Sequence, residues 1–289
     1  MADTSIDWAD KVWNPVTGCT KVSEGCRNCY AERMAHRWQR AGVRGYEDGF
    51  AVTCHPERLS HPRTWRKPRR IFVNSMGDLF HESVPLSFLT EVMQAMDRAK
   101  HHTFLVLTKR PEAMRDYLCT VAALGGGEPP AHIWWGVSVE DQQSADERIP
   151  LLLLTPAAVR FVSVEPMVGT VDLTRYLGFT GDNGEVGLEE RGWGYNSYSG
   201  GFIGKGEDDC YDPQCGLDWI ICGGETGPDA RPLHPDWVRS LRDQCQSAAV
   251  PFFFKSWGEW RGDGTDMHRV GKKASGRLLD EMEWLEVPC

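Results

Sequence analysis

Ile71-Phe72-Val73-Asn74-Ser75-Met76-Gly77-Asp78 is a short apolar run that ends in a polar, glycine-bearing tail. Behind it, Leu86, Leu89, Met93 and Met96 recur at helical spacing, with Pro85 near the start. The same unit then repeats along the chain. Phe104–Leu107 is followed by a helix opened by Pro111, and Ile133–Val139 by a helix over Asp141–Leu153. Phe161–Val164 is the next strand. Trp219–Cys222 precedes a helix with Trp237, Val238, Leu241, Cys245 and Ala248 on one face, and Phe252–Phe254 closes the series. Upstream, a first strand is expected through Val12–Val16. Continuous apolar strands alternating with helices mean parallel strands covered on both faces, so the class is α/β. Seven strands suit either a barrel or an open doubly wound sheet, and periodicity alone does not separate the two.

The strand tails share a chemistry. They read Asn74-Ser75-Met76-Gly77-Asp78, Thr108-Lys109-Arg110, Ser138-Val139-Glu140, Glu165-Pro166, Gly223-Gly224-Glu225 and Lys255-Ser256-Trp257. Parallel α/β folds place their sites at the C-terminal strand ends, so these tails point to one shared site. Each has a plainer reading. Asp78 could cap a helix, Lys109-Arg110 could be a solvated turn, Glu165 could form a rim ion pair, and Gly223-Gly224 could ease a turn. Trp134-Trp135 and Phe252-Phe253-Phe254 are expected in the core.

The chain has 289 residues, 41% of them hydrophobic, and a formal net charge of −9. That charge excludes a surface dominated by a basic nucleic-acid face. No apolar run approaches a membrane span, and Met1-Ala2-Asp3-Thr4 does not begin a basic-then-apolar leader. A cytoplasmic, non-membrane protein is expected. Ten cysteines in such a chain point to metal or catalysis rather than to a disulfide scaffold. Cys19, Cys26 and Cys29 lie just after the first strand, where a helix starts at about Cys29. Three thiolates on one loop can hold three corners of a [4Fe–4S] cluster and leave one iron for a non-protein ligand. Structural zinc completed by Cys54 or His55 is the rival reading, and a loop without metal is the third. Residues 180–216, rich in Gly, Asp, Glu and Tyr and carrying Cys210 and Cys215, are expected to form a flexible insertion. Arg58, Arg63, Arg66, Lys67, Arg69 and Arg70, with Trp65 among them, could contact phosphate and stack a base, or form a solvated loop.

Several blocks occur together in one order: Trp13-Asn14-Pro15-Val16-Thr17-Gly18-Cys19, Gly25-Cys26-Arg27-Asn28-Cys29-Tyr30-Ala31-Glu32, Gly77-Asp78-Leu79-Phe80, Leu107-Thr108-Lys109-Arg110-Pro111, Trp135–Glu140, Ser163–Pro166, Cys222–Gly227 and Phe253–Gly258. In these blocks, over roughly residues 6–260, the chain resembles the three-Cys-motif phage protein family, a family of unknown function. That family is similar to radical S-adenosylmethionine (SAM) enzymes related to spore photoproduct lyase. The cysteine pattern departs from theirs in its first gap, six residues instead of three, and in carrying Asn28 where an aromatic residue is usual.

The resemblance implies a partial (β/α) barrel of the radical SAM type over residues 1–260, interrupted at 180–216, with a C-terminal tail at 261–289. It implies a [4Fe–4S] cluster on Cys19, Cys26 and Cys29, with SAM cleaved to a 5′-deoxyadenosyl radical. Gly77 and Asp78 would meet the methionine amino group, Ser138 and Glu140 the ribose, and Glu165, Gly223 and Gly224 the adenosyl moiety. Lys109, Arg110 and Lys255 are the cations left to engage a carboxylate or phosphate of the reactants. An external electron donor, a partner protein encoded nearby and a nucleotide, DNA or nucleobase substrate are the implied partners. A non-catalytic, phage-related binding protein stabilised by zinc or a structural cluster is the alternative from a different class.

Overall fold

The computed structural model describes residue 4 and residues 6–125, 127–177, 194–196, 201–203, 216–262 and 266–288. Its main sheet has seven strands: β1 (Lys11–Trp13), β2 (Arg70–Val73), β3 (Thr103–Thr108), β4 (Ile133–Val139), β5 (Arg160–Val164), β6 (Trp219–Gly223) and β7 (Phe252–Ser256). They lie in sequential order and every neighbouring pair is parallel. The helices between them are α1 (Tyr30–Arg40), α2 (Leu86–Asp97), α3 (Pro111–Ala123), α4 (Gln142–Leu153) and α5 (Pro235–Ser247). A doubly wound sheet reverses direction at a switch point. This one never does, so its winding is that of a barrel. Among the described residues β1 and β7 do not pair, which leaves a curled half-barrel.

Strand alternation divides the core in two. Ile71, Val73, Phe104, Val106, Ile133, Trp135, Val162, Val164, Ile220 and Phe254 face the helices, where they pack with Val92, Met96, Met114, Ile149 and Leu241. Phe72, Leu105, Trp134, Phe161, Trp219, Ile221 and Phe253 point the other way and pack with Trp8 inside the curl. Trp219 is the hub of that interior, with ring centroids of Trp8, Trp134, Phe161 and Phe253 at 5.9–6.3 Å. Gly136 makes room for it, since a Cβ there would sit 2.6 Å from the Phe161 ring. The expected core aromatics Trp134, Trp135 and Phe252–Phe254 are all buried.

The first strand is shorter than expected. Pro15 offers no N–H to a ladder, so β1 stops at Trp13, and Val16–Thr17 instead pairs antiparallel with Thr53–Cys54. Asp141 is not the first helical residue but the N-cap of α4, in a reciprocal capping box with Ser144. The last described segment lies along the free edge of β7. Phe254 donates its backbone N–H to the Trp284 carbonyl at 2.8 Å, and Leu285 bridges Phe253 in antiparallel sense. An edge strand is thereby covered. Most of the 180–216 insertion, with Cys210 and Cys215, lies outside the described residues; Gly194–Asn196 and Gly201–Ile203 pair as short antiparallel strands. Among the described residues no helix is long and apolar enough to cross a membrane.

Candidate functional site

The chain leaves β1 through Asn14 and runs across the C-terminal strand ends as the cysteine loop. Two glycines seat it. Gly18 has φ +84°, and a Cβ there would lie 2.1 Å from the Ala51 carbonyl oxygen. A Cβ at Gly77 would lie 2.8 Å from the Gly18 carbonyl oxygen, while the Gly18 N–H donates to the Met76 carbonyl at 2.8 Å. The space beside Gly77 is thus taken by the backbone of the cysteine loop itself. Cys19, Cys26 and Cys29 are free thiols, and all three line one cavity of about 180 Å³. Gly77, Asp78, Lys109, Arg110 and Ser138 line the same cavity.

The cavity walls are held by charge. Asp78 accepts from the Thr108 hydroxyl at 2.7 Å, the Phe80 N–H at 3.0 Å and the Lys109 N–H at 3.2 Å, and it pairs with Arg110 at 3.2 Å. Arg110 also donates to Cys19 Sγ at 3.4 Å and to the Thr20 hydroxyl at 2.7 Å. Lys109 pairs with buried Glu140 at 3.2 Å, and Arg148 from α4 reaches the same carboxylate at 2.9 Å. Neither plain reading of these tails survives: Asp78 does not cap α2, and Lys109 and Arg110 do not form a solvated turn.

The thiols differ electrostatically. Burial, reinforced by Asp78 and opposed by Arg110, pushes Cys19 up to about 11. Burial also raises Cys29. At Cys26 burial acts in the same direction, but the Lys109 ammonium and hydrogen bonds at Val22 and Ser23 outweigh it, and the thiol sits below its ordinary value. A metal entering this cavity must displace protons from Cys19 and Cys29. Among the described residues no three His, Cys, Asp or Glu side chains already stand together as a metal-holding group.

The remaining predicted residues form a second cluster. Glu165 pairs with Lys255 at 2.9 Å and accepts from the Ser163 hydroxyl at 3.2 Å. A Cβ at Gly223 would sit 2.5 Å from Glu165 Oε1, and one at Gly224 would sit 2.2 Å from the Trp257 carbonyl oxygen. The glycine pair therefore admits its neighbours. Ser138 joins the two clusters, lining the thiol cavity while donating to the Glu165 carbonyl at 3.1 Å. Lys255 lines an adjacent cavity of about 390 Å³ with Val12, Asn14, Tyr30 and Phe72.

Cys54 packs against the helix-side core, and His55 is held by the Thr17 hydroxyl at 2.8 Å and Glu57 at 3.3 Å. Neither lines the thiol cavity. The basic run does not gather there either. Arg58 donates to the Asn14 carbonyl at 3.0 Å, and Trp65 packs on the core. Arg63, Arg66 and Lys67 are exposed ahead of β2, at the opposite end of the sheet from the thiols.

Sequence reasoning missed a latch. Asn28 donates to Glu225 at 3.1 Å and to the Asp229 carbonyl at 2.7 Å. Arg231 pairs with Glu225 at 2.9 Å and donates to the Glu24 carbonyl at 3.0 Å. The cysteine loop is thereby tied to the tail of β6. Gly25 was missed as well; a Cβ there would lie 2.5 Å from Lys109 Nζ. Glu225 had a signal, a carboxylate in a strand tail. Arg148 had only a weak one, a charge on the buried side of a helix.

Fold and site together define a parallel α/β half-barrel protein with a three-thiol loop across the C-terminal ends of its strands. Residues 3–288 match the family described as "Protein of unknown function (DUF5131)", and the chain belongs to that family. The match continues through residues 261–288, past the motif blocks. No curated protein and no solved structure matches the chain.

Proposed function

We propose that this protein is a radical SAM-like iron–sulfur enzyme. The observation that carries the reading is the convergence of three free thiols from one loop on a single cavity at the C-terminal end of a half-barrel. The donor set fits: soft thiolate ligands suit iron–sulfur clusters, and neither Cys54 nor His55 lines the cavity as a fourth ligand. Cys19, Cys26 and Cys29 would hold a [4Fe–4S] cluster and leave a corner for SAM. Such a cluster supplies one electron to a bound sulfonium and so gives access to hydrogen abstraction from carbon.

The chain's own residues bind and orient. The Asp78 carboxylate, fixed by four partners, can accept from an ammonium group, and Arg110 beside it can engage a carboxylate. Glu140 is ionised despite its burial, because Lys109 and Arg148 together hold it below the usual carboxylate range. It thus fixes the direction of the Lys109 ammonium. Phe72 and Leu107 floor the cavity with apolar surface and limit water. An external electron donor and a partner protein belong to this proposal, as does a cytoplasmic setting.

The test is anaerobic reconstitution with iron and sulfide, then SAM and dithionite, read by iron content, absorbance and mass spectrometry for 5′-deoxyadenosine. Cluster loading and 5′-deoxyadenosine are expected. Cys19→Ala, Cys26→Ala and Cys29→Ala should each lose iron, and Cys54→Ala should retain it. Colourless protein holding one zinc that Cys54→Ala releases would overturn the proposal in favour of a metal-stabilised binding protein.

A further inference from the structure

The thiol cavity is the first of a row of three. It shares Phe72 and Ser75 with the 390 Å³ cavity, which shares Lys255 and Lys272 with a third of about 440 Å³. Val12 and Asn14 from the β1 side and Lys255 from β7 line the middle cavity, so the row leaves between β1 and β7, which do not pair with each other. The outermost cavity is cationic, with Lys255, Lys272, Lys273 and Arg277 facing Asp7. Glu165 engages Lys255 at 2.9 Å and Asp7 engages Arg277 at 3.6 Å. Among the described residues, exposed Lys272 and Lys273 have no acidic partner.

The platform carrying these lysines is fixed. Buried Ser275 donates to the Gly258 carbonyl at 2.7 Å, and the Trp257 indole N–H donates to the Leu278 carbonyl at 2.9 Å. A local cationic surplus on a chain of net charge −9 is not a by-product of overall charge. The middle cavity is lined by two rings, Trp38 and Tyr30, and residue Tyr30 is 55% exposed. Aromatic faces beside cations are what a base joined to a phosphate requires.

We propose that the open side of the half-barrel binds a phosphate ester of a planar base, with Lys272, Lys273 and Arg277 on the phosphate and Tyr30 and Trp38 beside the base. The order of the cavities then puts the phosphate farthest from the thiols. This names the substrate class of the enzyme proposed above and rests on that reading for its chemistry. The binding step needs no metal, so the two can fail separately.

The experiment is fluorescence anisotropy of the full chain, without iron, using a fluorescein-labelled single-stranded oligonucleotide. Competitors are AMP, ribose 5-phosphate and inorganic phosphate. Lys272→Ala/Lys273→Ala should weaken binding by about tenfold or more and flatten the dependence of log affinity on log salt by roughly 1.4, at about 0.7 per phosphate contact. Tyr30→Ala should weaken it at least about fivefold. Arg66→Ala/Lys67→Ala, at the far end of the sheet, should leave it unchanged. Displacement by AMP assigns a mononucleotide as the source, and displacement only by a strand assigns a polynucleotide. Equal loss in the Arg66/Lys67 variant, an unchanged salt slope in the Lys272/Lys273 variant, or ribose 5-phosphate competing as well as AMP would overturn the proposal. Iron loading of the same protein reports separately on the thiol site.

Discussion

The lower and upper tiers of the half-barrel interior are built from the same strands and the same alternation, yet they differ in kind. In the lower tier Phe72, Leu105, Trp134, Phe161, Trp219 and Phe253 fill the curl with rings. Two to six residues further along the strands from Leu105, Trp134, Phe161, Trp219 and Phe253, the inward positions become Lys109, Ser138, Glu140, Ser163, Glu165, Gly223 and Lys255, and Lys109, Ser138 and Lys255 line the cavities that open there. The aromatic tier is where burial contributes stability. The upper tier keeps charges out of water only where partners are at hand, as Glu140 is kept by Lys109 and Arg148. One tier holds the sheet in its curl so that the other can hold chemistry at its rim.

The sharpest way to break that division is to hollow the lower tier. Trp219→Ala removes the ring that meets four other aromatic side chains and should cost about 3–5 kcal/mol in denaturant unfolding. Its thiols should still load iron wherever the variant is folded. Loss of loading in folded protein would show that the tiers are not separable.

Glu140→Gln tests the upper tier. It leaves the Arg148 and Lys109 cations facing an uncharged partner and should cost about 3 kcal/mol at neutral pH. Because the Glu140 carboxyl lies below its ordinary value in the folded protein, its stabilisation is complete above about 4.5 and drains away as pH falls through the lowered folded value. The stability gap between parent and variant should therefore narrow in acid. A gap constant from pH 7 to pH 3 would mean that the pair contributes shape and not charge.

The strands were legible because each is apolar on both faces; even the tails that form the site announced themselves by residue type. The direction of winding was not. Whether the helix after Val73 returns to the left or the right of its strand leaves no local mark, so periodicity alone did not separate a doubly wound sheet from a barrel; the partial barrel was an expectation from the motif resemblance, and the sequential strand order is consistent with it. Spacing exposed Cys19, Cys26 and Cys29 as a unit. The partners of the loop stayed hidden because they are far away in the chain: Glu225 is 197 residues from Asn28. The basic run at Arg58–Arg70 drew attention by density, but β2 starts where it ends and carries the chain away from it. The cations at the rim, Lys272 and Lys273, sit in the segment beyond the motif blocks, where nothing in the pattern set them apart.

The smallest effect concerns how the thiol loop is held across the mouth. Asn28 immediately precedes the third cysteine of the loop, and its amide donates to Glu225 and to the Asp229 carbonyl. Asn28→Ala removes both bonds but leaves Arg231 on Glu225 and on the Glu24 carbonyl. The loss of global stability should therefore be near 1 kcal/mol, the usual net value for such bonds. The informative readout is local. Amide hydrogen exchange across residues 19–29 should quicken while the strands of the lower tier stay protected, because opening of a loop need not unfold the sheet beneath it. Exchange that quickens equally in β5 and β6 would mean that the latch supports the barrel and not the loop alone, and the separation of the two tiers would have to be redrawn.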